Sequence, residues 1–82
     1  MFDSLKIDYH LSYYRSSTDA LASGNLDPKE FARLDCIRQA SLLAIAFEVG
    51  IIDRIYGNLN YEDWQKAIAF IKKYEQANEV AA

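Results

Sequence analysis

The chain has 82 residues, of which 51% are hydrophobic and 26% are charged, and its formal net charge is −3. This composition is typical of one folded domain and excludes a disordered chain. The acidic balance disfavours direct binding to nucleic acid and to anionic membranes, and the lone cysteine excludes an internal disulfide.

Residues 5–13 form the first predicted element, and their pattern fits two structures. Strict alternation of apolar and polar positions predicts a β-strand with one buried face. Because no second alternating run follows, this strand would pair with the same strand of another subunit or with a partner's sheet edge. The same apolar residues also lie four apart, which predicts a helix instead: Leu5, Ile7, Tyr9, Leu11 and Tyr13.

Helix start and stop signals follow along the chain. Polar residues 16–19 are N-cap candidates for a short helix that ends near Gly24. A much stronger signal is Asp27 as N-cap, Pro28 at the first helical position and Glu30 completing a capping box. A long helix is therefore predicted to begin at Pro28.

The central segment, residues 37–56, is the most apolar part of the chain and is predicted to be helical. A helix that is apolar all round must be covered on every side, and a chain of this length has few other elements to cover it. Gly50 marks either a bend or a break in this helix. We expect a second copy of the chain to cover it, with an oligomer core of Leu42, Ile45, Phe47, Val49, Ile52 and Ile55.

The last predicted element is an amphipathic helix that begins after Asn60. Asn60 is the N-cap candidate, and Glu62 and Asp63 follow in the first turn, where the helix dipole favours anions. Residues 76–82 lose the apolar pattern and are expected to fray. The apolar stripe before them consists of Trp64, Ala67, Ile68, Ile71 and Tyr74.

Together these elements predict a mainly α fold: one domain over residues 1–82, with a long apolar central helix and an amphipathic C-terminal helix, preceded by either a strand or a helix. His10 and Cys36 lie in different predicted elements, with no acid at dyad spacing. The sequence therefore predicts no catalytic site, metal site or cofactor. A secretory segment and a membrane span are both absent from the pattern, so a cytoplasmic protein is expected.

Tyrosines are frequent for so short a chain, and this favours binding to another protein. Tyrosine and arginine anchor protein interfaces because they bury large areas and still keep a polar group satisfied. The predicted partner-binding residues are Tyr9, Tyr13, Tyr14, Arg15 and Tyr61.

The predicted function is that of a small, acidic, non-enzymatic regulator. It would self-associate as a homodimer or homotetramer and bind another protein. The acidic charge favours a basic partner, which would be a DNA-binding protein or another regulatory protein. As a class, the chain resembles the small antirepressors and other inhibitors that phages and mobile elements use, and this resemblance implies inhibition of the bound protein.

An alternative prediction is a dimeric helix-turn-helix transcriptional regulator. Ala46, Gly50 and Ile51 match the turn of that motif, which makes residues 53–59 the recognition helix. This helix would offer Arg54, Asn58 and, just beyond it, Asn60 as base-reading side chains, while Asp53 would face phosphate.

Overall fold

The computed structural model describes residues 2–55 and 57–81, and of residues 79–81 it describes the backbone alone. Tyr56, the predicted end of the central helix, lies outside the described residues. The described part contains three α-helices and no strand: α1 (Ser4–Ala22), α2 (Pro28–Glu48) and α3 (Tyr61–Ala81). The prediction of a mainly α fold is confirmed.

Helix α1 covers the first two predicted elements without a break. It begins because the Asp3 carboxylate accepts a hydrogen bond from the Leu5 amide at 3.0 Å, which caps the first turn. It ends at Ala22, shortly before Gly24, whose φ of 79° is accessible mainly to glycine. The strand interpretation of residues 5–13 is therefore wrong, and so is the separate helix start at residues 16–19.

Helix α2 begins where it was predicted. The Asp27 carboxylate accepts a hydrogen bond from the Glu30 amide at 2.8 Å, and Pro28 occupies the first turn. In a complete capping box the Glu30 carboxylate would also accept a hydrogen bond from the Asp27 amide. Here the Glu30 carboxylate binds the Arg33 guanidinium instead. That ion pair lowers the pKa of Glu30.

Helix α2 ends at Glu48, well before the predicted end, because Gly50 breaks it. The Gly50 amide donates to the Phe47 carbonyl at 3.2 Å and the Ile51 amide to the Ala46 carbonyl at 2.9 Å. These two bonds form a Schellman motif, whose residue in the left-handed region is Gly50 at φ 82°. The single long central helix is thus wrong beyond Glu48, and residues 51–55 and 57–60 form no helix.

Helices α1 and α2 form an antiparallel hairpin, and α3 crosses α1. The hairpin brings the start of α1 beside the end of α2, where the Asp3 amide donates to Glu48 Oε1 at 3.3 Å. Asp8 and Arg15 are about 10 Å apart along α1. Their hydrogen-bond partners on α3, Tyr74 and Glu75, are nevertheless adjacent residues. Helix α3 therefore runs obliquely across α1, starting from Asn60, whose side chain accepts from the Asp63 amide at 2.8 Å as predicted.

The core lies where the three helices meet. Burial of one aliphatic side chain contributes about 1.5–3 kcal/mol relative to exposure. Leu11, Ile51 and Leu59 pack partly buried around the cluster, so the segment after α2 also helps to cover it. The buried cluster consists of Ile7, Tyr14, Leu42, Ile45, Ala46, Ala67 and Ile71.

Candidate functional site

The side of α1 that points away from the core carries an uncharged, partly aromatic surface. Leu5 is 78% exposed, Tyr9 60% and Tyr13 49%, and the side chains are four apart, so they follow one face of the helix. Ile7 and Tyr14 lie on the opposite face, in the core. We call this surface the α1 face and define it by Leu5, Tyr9, Ser12, Tyr13 and Ser16.

The two tyrosines of the α1 face contact each other. Their ring centroids are 5.2 Å apart at an interplanar angle of 62°, an edge-to-face arrangement. The hydrogen bond with Tyr13 raises the pKa of the Tyr9 hydroxyl above its ordinary value. The His10 ring lies 5.3 Å from the Tyr9 ring. The rings of Tyr9, His10 and Tyr13 thus form one group of mutually contacting aromatic side chains on α1.

Tyr14 and Arg15, the other predicted contact residues on α1, are placed differently. Tyr14 is 8% exposed and belongs to the core, so it is not part of the α1 face, which keeps Tyr9 and Tyr13. Arg15 is half-buried and pairs with Glu75 on α3, where its Nε donates to Oε2 at 2.8 Å. This hydrogen bond raises the pKa of Arg15. Arg15 therefore joins two helices.

The margins of the α1 face differ in charge. Given 100° per residue, Asp8 and Asp19 lie along one margin and Lys6 along the other, and all three are exposed. Asp8 accepts a hydrogen bond from the Tyr74 hydroxyl at 2.6 Å, which raises the pKa of Tyr74. With the Arg15 and Glu75 pair beside them, the carboxylates give this margin a net negative charge.

A cleft forms a second surface, between α2, the segment after it and the start of α3. It consists of two adjoining hollows of about 390 Å³ and 220 Å³. Tyr61 is 73% exposed beside the cleft and stacks on Trp64, with centroids 6.3 Å apart. The residues that line both hollows are Leu43, Asn58 and Leu59.

The predicted oligomer core divides between the inside and the outside of one chain. Leu42 and Ile45 are covered by the chain's own helices, so they need no second copy. Val49 and Ile52 are partly buried against the same cluster. Phe47 and Ile55 are exposed.

The described residues contain no group of three or more histidine, cysteine or acidic side chains that could hold a metal ion. His10 contacts the Tyr9 ring on α1, and Cys36 is exposed on α2. None of the three helices, over its described length, is both long and apolar enough to cross a lipid bilayer.

The predicted helix-turn-helix lacks its recognition helix. Residues 53–55 and 57–59 are bends and irregular backbone, so the second helix of that prediction is wrong. Arg54 interacts with Asp53 on the same segment, at 3.7 Å. Gly50 has the positive φ that suits the motif, but it ends α2 without starting another helix there.

Sequence reasoning missed Leu5 as part of the surface. In the strand interpretation Leu5 and Ile7 share the buried face, whereas in a helix they lie about 200° apart. The signal that identifies Leu5 is the absence of charge on one helical face of residues 5–16. Glu75 was also missed, because its pairing with Arg15 joins positions 60 residues apart.

Comparisons with protein-family models, with curated proteins and with solved structures each find no match for this chain.

Proposed function

We propose that this chain is a cytoplasmic, non-enzymatic regulator that self-associates and binds another protein through the α1 face. The observation that carries the proposal is the exposure of Leu5, Tyr9 and Tyr13 on one uncharged helix face. Tyrosines anchor interfaces because they supply large rigid contact area and a polar tip. Apolar anchors four residues apart are also how a helix engages a groove on another protein.

The charge at the margins favours a basic partner. Asp8 and Asp19 border the α1 face on one side, and the whole chain carries a net charge of −3. Opposite charge on a partner would accelerate the encounter and fix its orientation. DNA-binding proteins carry such basic surfaces, so we propose that the chain inhibits one of them by covering that surface, as an antirepressor does.

Site-specific photocrosslinking tests partner binding. A photoreactive phenylalanine analogue is introduced at Tyr9 in the cells that express the chain, and adducts are identified by mass spectrometry. We expect one dominant adduct with a basic protein. The matched control carries the analogue at Phe31, which is 53% exposed against 60% for Tyr9 and lies on α2. Equal adducts at both positions, or none at Tyr9, would contradict the proposal.

A second measurement separates binding from folding. The double variant Tyr9→Ser with Tyr13→Ser should lower the affinity for the adducted partner by at least about thirtyfold, since a single interface anchor contributes about 2 kcal/mol or more. Its circular dichroism and thermal midpoint should remain close to those of the parent chain, because both side chains are exposed. An unchanged affinity would exclude the α1 face as the binding surface.

Self-association has its own test, which is the mass in solution by light scattering over a wide dilution range. We expect a dimer or tetramer that dissociates only at low concentration. A monomer at every concentration would contradict self-association. It would not bear on the proposal that a partner binds the α1 face.

A further inference from the structure

One side of α2 remains uncovered by the rest of the chain. Cys36, Ala40 and Phe47 line it together with Leu43 and Ala44, and of these Cys36, Ala40 and Phe47 are exposed while Leu43 and Ala44 are half-buried. These residues follow one face of the helix, opposite buried Leu42 and Ile45. We call this surface the α2 face and define it by Cys36, Ala40, Leu43, Ala44 and Phe47.

The α2 face carries no charge along its middle. Every residue from 34 to 47 is described, and the two charged ones among them, Asp35 and Arg38, are partly buried and bound to each other at 2.6 Å. That hydrogen bond lowers the pKa of Asp35. Contiguous uncharged helix surface of this length, with an exposed phenylalanine at one end, is typical of a contact surface.

The two ends of the α2 face carry opposite charges. Lys29 and Arg33 are exposed before it, with the half-buried Glu30 beside them, so this end carries a net positive charge of one, and Glu48 follows the face at the other end. Arg33 also binds Glu30 on its own helix, but a guanidinium has five donors and can serve a second carboxylate. A surface that is cationic at one end, anionic at the other and uncharged between them is complementary to itself when one copy is reversed.

We infer that a second copy of this chain covers the α2 face, with the two α2 helices antiparallel about a two-fold axis near Ala40. Arg33 and Phe47 each lie seven residues from Ala40, so at 1.5 Å per residue both stand about 10.5 Å from the axis. Arg33 of one copy then meets the Phe47 ring and the Glu48 carboxylate of the other. The antiparallel helix dipoles also attract each other.

The α1 face fits a second copy less well than the α2 face does. In an antiparallel two-fold pair, the same margin of each helix meets its own counterpart. The margin with Asp8 and Asp19 would then bring carboxylates of both copies together, which is unfavourable. Assigning the second copy to α2 leaves the α1 face free for the partner.

Disulfide trapping tests the inference, which rests on the self-association in the proposed function. In Ala40→Cys with Cys36→Ser, the two new thiols meet at the axis, where Cα atoms about 4–7 Å apart can be bridged. We expect a covalent dimer under mild oxidation. The unaltered chain should form none, because its two Cys36 residues stand about 12 Å apart along the helix axes. Ser23→Cys with Cys36→Ser is the collision control.

The possible outcomes are distinguishable because the reduced samples are also weighed by light scattering. A dimer that is trapped in the Ala40→Cys variant alone supports the inference. A dimer that is trapped through native Cys36 instead, or equally in the Ser23→Cys control, overturns the antiparallel α2 contact while self-association stands. A monomer at every concentration overturns both.

Charge reversal gives a second measurement. Glu48→Arg should raise the dimer dissociation constant by roughly tenfold, because two symmetry-related attractions become repulsions. The control Glu62→Arg makes the same charge change on α3, away from the α2 face, and should have little effect. Equal effects of the two variants would show that net charge alone acts, and would count against the contact.

Discussion

Gly50 determines where the central helix ends, and it does so through backbone conformation. The sequence did not distinguish between a bend and a break at Gly50, because a glycine within an apolar run is compatible with both. The difference lies in φ, which is 82° here, and in the two hydrogen bonds from Gly50 and Ile51 back to the last turn of α2. Nothing in the side chains around Gly50 specifies that φ.

Substitution of Gly50 should therefore act through conformation alone. Gly50→Ala should lower the free energy of unfolding by about 1–2 kcal/mol, because an L-residue is strained at this φ. A steric clash is excluded, since nothing lies within 4 Å of an added Cβ. Gly50→Asn should cost less, because asparagine tolerates the left-handed region. Urea unfolding measures both, and a larger loss for asparagine than for alanine would contradict the explanation.

Tyr13 and Tyr14 show what residue types alone cannot predict about a surface. They are adjacent and chemically identical, yet Tyr13 is 49% exposed and Tyr14 8%. Sequence reasoning placed both in one contact patch, because residue type predicts interface preference and not direction. Neighbours on a helix point about 100° apart, so one tyrosine of the pair faces the core and the other faces solvent.

At the scale of the element, α1 was ambiguous for a physical reason. Residues 5–13 are apolar at every odd position, and a repeat of two also contains a repeat of four. Local context decided the outcome: Asp3 supplies an N-cap, and α2 offers a helical partner. A strand would have had no partner within the described chain.

A matched pair of substitutions in α1 tests this assignment. Ile7→Ala should lower the free energy of unfolding by about 2–5 kcal/mol, since Ile7 is fully buried. Leu5→Ala should change it by less than about 0.5 kcal/mol, because Leu5 is exposed. Chemical denaturation followed by circular dichroism compares the two. Similar losses would indicate that both residues share one buried face, as in a strand.

The starts of α2 and α3 could be predicted because capping is local. Asp27 binds the amide of Glu30, and Asn60 binds that of Asp63, each three residues on. Such contacts are complete within one turn and depend little on the rest of the fold. The end of α2 was predicted less well because the glycine motif competes with a strongly apolar run.

At the scale of the whole molecule, the coverage of α2 is the main departure from expectation. The chain was expected to need a second copy to bury Leu42 and Ile45, yet α1, α3 and the segment after α2 cover both. Phe47 remains outside. The sequence shows how apolar a helix is, but which side stays uncovered depends on where the other elements pack.

Stability should be unequal across the molecule. The long-range contacts of α3 described above end at Tyr74 and Glu75, and the side chains of residues 76–78 are exposed. Amide hydrogens beyond residue 76 should therefore exchange at least about tenfold faster than those in the middle of α1 and α2. Hydrogen exchange read by NMR measures this. Uniform protection of the amide hydrogens through α3 would contradict this expectation. It would also contradict the predicted fraying of residues 76–82.

The links between α1 and α3 also bear on the order in which the chain folds. Asp8 and Tyr74 are 66 residues apart, and Arg15 and Glu75 are 60 apart. Forming either contact closes most of the chain into one loop and costs conformational entropy. Once one contact has formed, the other forms with little further loss of entropy. The hairpin of α1 and α2 closes a much shorter loop. Early formation of this hairpin followed by a single cooperative docking of α3 is the folding sequence that the topology favours.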